Sequence, residues 1–165
     1  MSNYICKIAN LDEMNIKWDY EIENAEDKEN WIIWKKEHIK RFQKGYTIPY
    51  YGVLNDKIIC ECTAALNPSV VKNREELVDD TTAYLTAFRT IPEYQGKGYF
   101  SKLFNYMIND LKSKGYKRVT IGVEPSEKKN KEIYFHYGFN KHIKDGIEAF
   151  PDGTETKVEY YEKNI

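Results

Sequence analysis

A glycine loop between a strand and an amphipathic helix constrains the fold of this chain more than any other feature. Residues 90–104 read TIPEYQGKGYFSKLF, with glycines at positions 96 and 98. Glycine lets backbone N–H groups approach a ligand closely, and the first turn of the following helix adds unpaired N–H groups and the positive end of the helix dipole. The segment therefore predicts a binding site for a phosphate or pyrophosphate group.

The composition indicates a single globular domain covering residues 1–165. Hydrophobic residues make up 41% of the 165 residues and aromatic residues 15%, which is enough for one core.

The 25 Lys and Arg residues nearly balance the 26 Asp and Glu residues, so there is no electrostatic basis for binding nucleic acid or an acidic membrane surface. No run has the length and apolarity of a membrane span or a cleavable leader, and we expect a cytoplasmic protein.

The three cysteines indicate free thiols rather than a disulfide or a metal site. Cys60 and Cys62 lie two residues apart in an alternating segment and so share one face of a strand, and Cys6 makes the count odd. No second Cys/His pair supplies the ligand spacing of a zinc site. We therefore expect no metal.

Hydrophobic periodicity and turn residues predict a mixed α/β (α+β) fold. Helices are predicted at residues 11–24, 28–44, 100–115 and 126–137, and strands at 3–9, 47–54, 57–66, 81–90, 118–123, 139–144 and 157–163. A two-residue hairpin turn is expected at Asn55 and Asp56, and a surface loop at residues 67–79. The unit 81–123 is long enough for a parallel crossover within a mostly antiparallel sheet.

Two common nucleotide-binding patterns are not met by the glycine loop. A Gly-x-Gly-x-x-Gly pattern needs glycine at position 101, where the chain has Ser101, and the chain does not begin with such a unit. No Gly-x4-Gly-Lys-Ser/Thr segment occurs. Dinucleotide and P-loop sites are therefore disfavoured.

Two segments resemble motifs of the GCN5-related N-acetyltransferase (GNAT) family. Residues 92–98, PEYQGKG, are similar to motif A, Gln/Arg-x-x-Gly-x-Gly/Ala, and residues 133–139, IYFHYGF, are similar to motif B, whose tyrosine lies four residues before a glycine. Either motif alone recurs in unrelated folds, but the two at this separation are specific. The resemblance implies an acyl-CoA N-acyltransferase fold, a central mixed sheet flanked by helices.

The resemblance also implies how acetyl-CoA would bind. The glycine loop would hold the pyrophosphate, strand 81–90 would pair with the pantetheine arm, and the N–H near Phe88 would face the thioester oxygen. The implied cofactor-binding residues are Phe88, Arg89, Thr90, Gln95, Gly96, Lys97, Gly98, Tyr99, Phe100, Ser101 and Asn130. Lys97 and Lys102 are the candidates for pairing with the coenzyme A phosphates.

Two positions depart from the family pattern. Phe100 stands where motif A ends in Gly or Ala, so the cofactor must pack differently against this helical turn, or this backbone carries less of the contact. Glu127 stands where an asparagine often precedes the motif B tyrosine by seven residues, and Asn130 follows one turn later. Either residue is a candidate for the pantetheine contact.

Tyr134 and Glu61 are the candidate catalytic residues. A phenol with a pKa near 10 stays protonated at neutral pH, so Tyr134 could protonate the departing thiolate, the alternative being a packed core tyrosine. Glu61 points away from Cys60 and Cys62 and could accept the proton of the amine if burial raised its pKa. A solvent-facing Glu61 and a proton relay through water are the alternatives.

The remaining candidates are expected to be structural. The three histidines, His38, His136 and His142, have no paired carboxylate at suggestive spacing and are expected to be exposed or structural. Trp31, Trp34, Tyr50 and Tyr51 are expected in the core.

The resemblance in both motifs implies an acetyl-CoA-dependent N-acetyltransferase that acts on a primary amine of a small molecule or peptide by direct attack in a ternary complex. A coenzyme-binding regulatory module without turnover is the alternative, and a plain interaction module is a third. Pairing through the last strand would allow a homodimer.

Overall fold

The computed structural model describes residues 3–165 as a seven-stranded sheet with helices on both faces. The strands are β1 (Tyr4–Ile8), β2 (Thr47–Leu54), β3 (Lys57–Ala65), β4 (Thr82–Thr90), β5 (Arg118–Val123), β6 (Lys141–Ala149) and β7 (Glu155–Asn164). The helices are α1 (Leu11–Asn24), α2 (Lys28–Gln43), α3 (Tyr99–Ser113) and α4 (Lys128–His136). The predicted mixed, mostly antiparallel α/β architecture is confirmed.

The sheet has the strand order β1-β2-β3-β4-β5-β7-β6. Only β4 and β5 are parallel neighbours, and α3 forms the crossover between them. The predicted hairpin between β2 and β3 is also present. Asn55 and Asp56 both have positive φ angles, 48° and 69°, which is the backbone conformation of the tight hairpin turn.

The helices begin and end where the sequence supplies the appropriate residues. Asn10 caps α1 by accepting from the Glu13 N–H at 2.8 Å, while the Glu13 carboxylate accepts from the Asn10 N–H at 3.1 Å. The apolar stripe of α3 is buried through Leu103, Met107 and other residues at helical spacing. This burial fixes α3, and with it the glycine loop, against the sheet.

The two faces of the sheet carry separate cores. Tyr50 belongs to the core beneath α3, whereas its neighbour Tyr51 belongs to the core beneath α1 and α2. Consecutive residues of a strand point to opposite faces, so α3 lies on one face and α1 and α2 on the other. Both tyrosines are buried, as predicted.

The segment 67–79 is not the plain surface loop that its polar composition predicted. Val71, Leu77 and Val78 are buried in a third core beside Tyr160. The prediction was wrong for these residues because their partners lie far away in the sequence, on β7. Strands β6 and β7 are also longer than predicted, because exposed polar residues in them obscure the alternation of apolar and polar residues that indicates a strand.

The last strand does not offer a free edge for a homodimer. β7 pairs with β5 on one side and with β6 on the other. The edges of the sheet are β1 and β6. β7 therefore has no unpaired edge to which a second copy could add a strand, and a homodimer stays a prediction.

Cys60 and Cys62 are buried free thiols, and the Cys62 sulfur lies 3.4 Å from that of Met107. Residues 3–165 contain no cluster of three His, Cys, Asp or Glu residues arranged to hold a metal ion. Over the same residues, no helix combines the length and apolarity needed to cross a membrane.

Candidate active site

The parallel strands β4 and β5 separate partway along their length. Their pairing ends at Leu85 and Ile121, although β4 continues to Thr90 and β5 to Val123. Backbone groups on the inner edges of the separated ends are therefore not used by a β4–β5 ladder. This opening through the sheet is where a ligand backbone could pair with β4.

A β-bulge in β4 lies beside the opening. In the pairing with β3, Glu61 opposes Arg89 and Thr63 opposes Thr86, so Ala87 and Phe88 together face one residue of β3. Ala87 has a φ of 59°, a left-handed conformation that costs a non-glycine residue about 1 kcal/mol. Bulges commonly re-aim residues next to active sites. Here Ala87 lines a cavity on the α2 side, whereas Phe88 lines a groove on the α3 side.

The groove on the α3 side, which we call the cofactor groove, has a volume of about 790 Å³. It lies between the end of β4, the glycine loop, the first turn of α3, and α4. All predicted cofactor-binding residues line it except Lys97, and Lys102, the other candidate for pairing with coenzyme A phosphates, does not line it either. Those that line it are Phe88, Arg89, Thr90, Gln95, Gly96, Gly98, Tyr99, Phe100, Ser101 and Asn130. Lys97 instead lies with its ammonium group 6.0 Å from the centre of the Tyr94 ring.

The glycine loop has the geometry of an anion site. Gly96 and Gly98 have φ angles of 73° and 87°, which favour glycine. Gly98 is the N-cap residue of α3 and has no side chain to cap the helix, so the first N–H groups, which have no partner within a helix, also lack a capping side chain. Gln95 braces the loop by donating from its amide to the Thr90 carbonyl at 3.0 Å. The loop therefore presents backbone donors and a positive dipole end to the groove.

Phe100, the large residue at the end of motif A, is accommodated by packing against other aromatic rings. Its ring packs 5.0 Å from that of Phe88 and 5.7 Å from that of Tyr137. Tyr137 in turn hydrogen-bonds with Ser101 over 2.8 Å. Phe100 is thus part of an aromatic floor of the cofactor groove. Tyr137 was not predicted as a site residue, because its packing resembles that of any core aromatic residue.

Glu127 and Asn130, the two candidates for the pantetheine contact, act as a pair. The Asn130 amide donates a hydrogen bond to the Glu127 carboxylate. Asn130 lines the cofactor groove and Glu127 holds its side chain from the exposed side. The geometry therefore favours Asn130 for contact with a ligand and Glu127 for its orientation.

Tyr134 is the residue that joins the cofactor groove to a second cavity. It lines both, and its ring lies edge-on to Phe88 at 5.4 Å. Burial, followed by the nearby Glu127 carboxylate, raises the pKa of Tyr134 to about 12. The phenol is therefore protonated at neutral pH. Its access to two cavities distinguishes it from a packed core tyrosine.

The second cavity, about 280 Å³ in volume, lies on the α2 side of the sheet. Its walls come from α2, α4, the five strands β2 to β6, and residues 67–81 of the connection between β3 and β4, which we call the 67–81 loop. They include Trp34, His38, Thr86, Ala87, Tyr134 and Glu148. Trp34 is half-buried: it packs against the core beneath α1 and α2, as predicted, and it also lines this cavity. No sequence motif indicated the cavity, because its walls are separate segments brought together by the fold.

The three histidines occupy different environments. His38 lines the second cavity and packs 5.0 Å from the Trp18 ring, and burial lowers its pKa to about 4. His136 is exposed and lines the cofactor groove. His142 is exposed beside Asp145. His38 is thus a neutral side chain at neutral pH.

Glu61 is buried, so the expectation of a solvent-facing side chain is wrong. It is 2% exposed and points away from the core that holds Cys60 and Cys62. The Lys17 ammonium pairs with it, and the Arg89 guanidinium lies 3.1 Å away. These two cations outweigh the effect of burial and lower the pKa of Glu61. A carboxylate that two cations hold in its ionised form is a poor acceptor for a proton, so the geometry opposes that role.

Glu61 instead connects the end of β4 to the helices α1 and α2, which lie on the face of the sheet opposite to α3. Arg89 of β4 is the direct neighbour of Glu61 on the adjacent strand, and its guanidinium lies 4.4 Å from the centre of the Trp31 ring of α2. Lys17 belongs to α1 and also contacts Glu21 at 3.0 Å. The buried carboxylate thus links α1, α2 and the strand that borders both cavities.

Removing the charge of Glu61 should destabilise the protein. Glu61→Gln leaves the buried Lys17 with Glu21 alone, and we expect the free energy of unfolding at pH 7 to fall by about 3 kcal/mol. Because the folded pKa of Glu61 is lowered, its stabilisation is present above the ordinary pKa and is lost as pH falls through the folded value. Urea unfolding at pH 7 and pH 3 should show a smaller difference between wild type and variant at pH 3 than at pH 7.

The double variant Lys17→Met, Glu61→Leu is the control for this prediction. It removes both charges and fills the space with apolar groups, so it should recover most of the lost stability. A Glu61→Gln variant as stable as wild type at pH 7 would show that the buried pair contributes nothing to folding.

Comparison with solved structures shows that the fold is shared with acetyltransferases. A probable acetyltransferase from Staphylococcus epidermidis ATCC 12228 superposes with a TM-score of 0.73 at 13% identity, over 99% of each chain. The Salmonella typhimurium acetyl transferase that modifies the N-terminal serine of L7/L12 gives 0.70 at 14% identity, over 98% of this chain and 95% of that one. The ribosomal-protein-S18-alanine N-acetyltransferase of Escherichia coli gives 0.66 at 16% identity, over 99% and 94%. Identities this low establish the fold alone.

The sequence itself establishes the family. A search of curated proteins gave no match. The family model of the acetyltransferase (GNAT) family, however, matches residues 10–139, which is most of the chain. This range includes the glycine loop, the opening between β4 and β5, and Tyr134. The chain therefore belongs to the GNAT acetyltransferase family.

Proposed function

We propose that this protein is an acetyl-CoA-dependent N-acetyltransferase that acetylates a primary amine by direct attack in a ternary complex. The observation that carries the proposal is the position of Tyr134, which lines both the cofactor groove and the second cavity. A thioester in the groove and an amine in the cavity would meet at this side chain. The reaction then needs no covalent enzyme intermediate.

The cofactor side of the proposal rests on the glycine loop and β4. Acetyl-CoA would supply the thioester whose carbonyl carbon the amine attacks. The N–H groups of the loop and of the first turn of α3 fit its pyrophosphate, and Asn130 fits an amide of the pantetheine arm. The Phe88 N–H, beside the bulge, is our candidate donor to the thioester oxygen as negative charge develops there.

Tyr134 is our candidate general acid. Its raised pKa keeps the hydroxyl protonated, so it can donate to the thiolate as the C–S bond breaks. Glu61 is not proposed as the base because its pKa is lowered and it lies outside both cavities. The acceptor loses its proton elsewhere.

The second cavity suits the amine-bearing end of an acceptor. At about 280 Å³ it can hold a small amine or a terminal residue, but not a large folded surface. The Escherichia coli and Salmonella typhimurium proteins are named for protein N-termini. Small primary amines and peptide N-termini are therefore both proposed acceptors.

Calorimetric titration with acetyl-CoA, followed by thiol release in the presence of amines, tests the proposal. The panel should contain phenethylamine, putrescine, lysine and short peptides beginning with Ala or Ser. Binding of acetyl-CoA together with amine-dependent release of coenzyme A supports the proposal. A protein that does not bind acetyl-CoA would refute it.

A coenzyme-binding module without turnover is the second candidate. The lowered pKa of Glu61, the base predicted from the sequence, is the observation that favours it. Such a module would bind acetyl-CoA in the calorimeter, yet it would release no thiol with any amine.

A further inference from the structure

Glu148 of β6 is a carboxylate without a cationic partner in the wall of the second cavity. None of the ion pairs within residues 3–165 includes it. The other carboxylate of this cavity, Glu37, is exposed and lies 3.6 Å from Arg41. Glu148 is therefore the carboxylate of this cavity whose charge is left for a ligand.

A hydrogen-bond chain fixes the orientation of Glu148. The Tyr160 hydroxyl donates to its Oε2 at 2.6 Å, and the Asn73 amide donates to the Tyr160 oxygen at 2.9 Å. The same Asn73 amide donates to the Ile147 carbonyl at 3.0 Å, which ties the 67–81 loop to β6. Within residues 3–165 no hydrogen bond is formed to the other carboxylate oxygen, Oε1. An oriented carboxylate with one oxygen free is suited to bind a donor.

The surroundings of Glu148 favour an ammonium group as that donor. Tyr84 and Trp34 offer aromatic surface to the same cavity, and His38 is uncharged at neutral pH. The two cations that also line it have other partners: Arg41 pairs with Glu37, and Lys72 donates to the Ala149 carbonyl. Tyr134, the candidate acid, lines the cavity as well. A primary ammonium held by Glu148 would thus lie in the compartment where Tyr134 meets the cofactor groove.

We propose that Glu148 binds the ammonium group of the acceptor and takes its proton. This inference rests on the proposed function. The carboxylate receives one proton, the freed nitrogen lone pair forms the C–N bond, and the C–S electron pair leaves with sulfur. Tyr134 protonates the thiolate and regains a proton from the amide nitrogen directly or through water, while Glu148 returns its proton to solvent. The products are one amide, one free thiol and one proton.

Glu148→Gln tests the proposal because it keeps the size and the oxygen that Tyr160 donates to, while removing the charge. With the amine of the panel that wild type acetylates best, kcat/KM at pH 7 should fall about 100-fold. The ratio of wild type to variant should then shrink from about 100 at pH 7 towards 1 as pH approaches the pKa of the amine, roughly 10. At that pH the amine no longer needs to lose a proton to the enzyme.

Other titratable groups do not obscure this ratio. The groups that face Glu148 are Glu37, His38 and Arg41 of α2, Lys72 of the 67–81 loop, Tyr84, Glu124, Tyr134 and Tyr160. Both proteins carry all of them, so their titration cancels in the ratio of wild type to variant. A purely structural role of Glu148 would leave the ratio independent of pH.

Ligand binding gives a readout that does not depend on turnover. In ligand-observed NMR, Glu148→Gln should weaken phenethylamine binding at pH 7 by at least tenfold and leave binding of the neutral phenethyl alcohol unchanged. Tyr160→Phe removes the hydroxyl that orients Glu148 and should raise KM for the amine with little change in kcat. Glu155→Gln, an exposed carboxylate on β7 outside the cavity, is the matched control and should behave as wild type.

The outcomes separate this inference from the proposed function. If wild type acetylates an amine and Glu148→Gln retains more than a third of kcat/KM at pH 7, the role of Glu148 is overturned and the function stands. If wild type binds acetyl-CoA but neither binds nor acetylates any amine of the panel, both are overturned. If acetyl-CoA does not bind, the proposed function fails first.

Discussion

Gly98→Asp should abolish acetyl-CoA binding while leaving the protein folded. The new side chain would place a carboxylate at the N-cap of α3, where the unpaired N–H groups and the dipole end face the cofactor groove. Repulsion of the pyrophosphate should weaken binding at least 100-fold, or about 2.7 kcal/mol. Calorimetric titration of wild type and variant with acetyl-CoA measures this difference.

Gly45→Asp is a closely matched control for this prediction. Gly45 and Gly98 have similar φ angles, 74° and 87°, and a Cβ atom at either would meet nothing within 4 Å. Both substitutions therefore impose a similar backbone cost of about 1 kcal/mol, but Gly45 lies at the end of α2, outside the groove. If the two variants bind acetyl-CoA equally well, the glycine loop is a structural turn and not an anion site.

Tyr134→Phe should lower kcat about 100-fold without weakening acetyl-CoA binding. Phenylalanine keeps the ring that packs against Phe88 and removes only the hydroxyl that would protonate the thiolate. Single-turnover measurements of coenzyme A release, at saturating amine, isolate this step from product dissociation. Tyr106→Phe, on the exposed side of α3, is the control and should retain wild-type kcat.

The pH dependence gives a second test of Tyr134. Its raised pKa means that the acid form persists up to about pH 12, so any loss of wild-type activity between pH 8 and pH 10 should arise from another group. The ratio of wild type to Tyr134→Phe should stay constant over that range. A variant with unchanged kcat would identify Tyr134 as a packing residue.

The parts of the fold set by short-range signals were predictable from the sequence. The glycines at 96 and 98, the apolar stripe of α3 and the Asn55-Asp56 turn each encode local geometry within a few residues. Residues 92–98 and 133–139 also suggested the family, which the match over residues 10–139 shows. Local chemistry is therefore enough to indicate which segments line the cofactor groove.

The second cavity could not be predicted, because long-range packing creates it. Glu148 reaches the cavity only because β6 lies next to β7, and Asn73 orients it from a loop whose apolar residues are buried. The burial and the lowered pKa of Glu61 could not be predicted for the same reason. Its pKa depends on Lys17 and Arg89, which are 44 and 28 residues away in the chain. No periodicity or motif records such partners.

The separation of β4 from β5 allows the two substrates to enter, and the two products to leave, on opposite faces of the sheet. The cofactor groove opens on the α3 face and the second cavity on the α2 face, so the two compartments have different exits. In the proposed reaction, free coenzyme A would leave on one side of the sheet and the amide on the other. The two products could then dissociate in either order. A bulky acceptor could remain docked while fresh acetyl-CoA enters behind it.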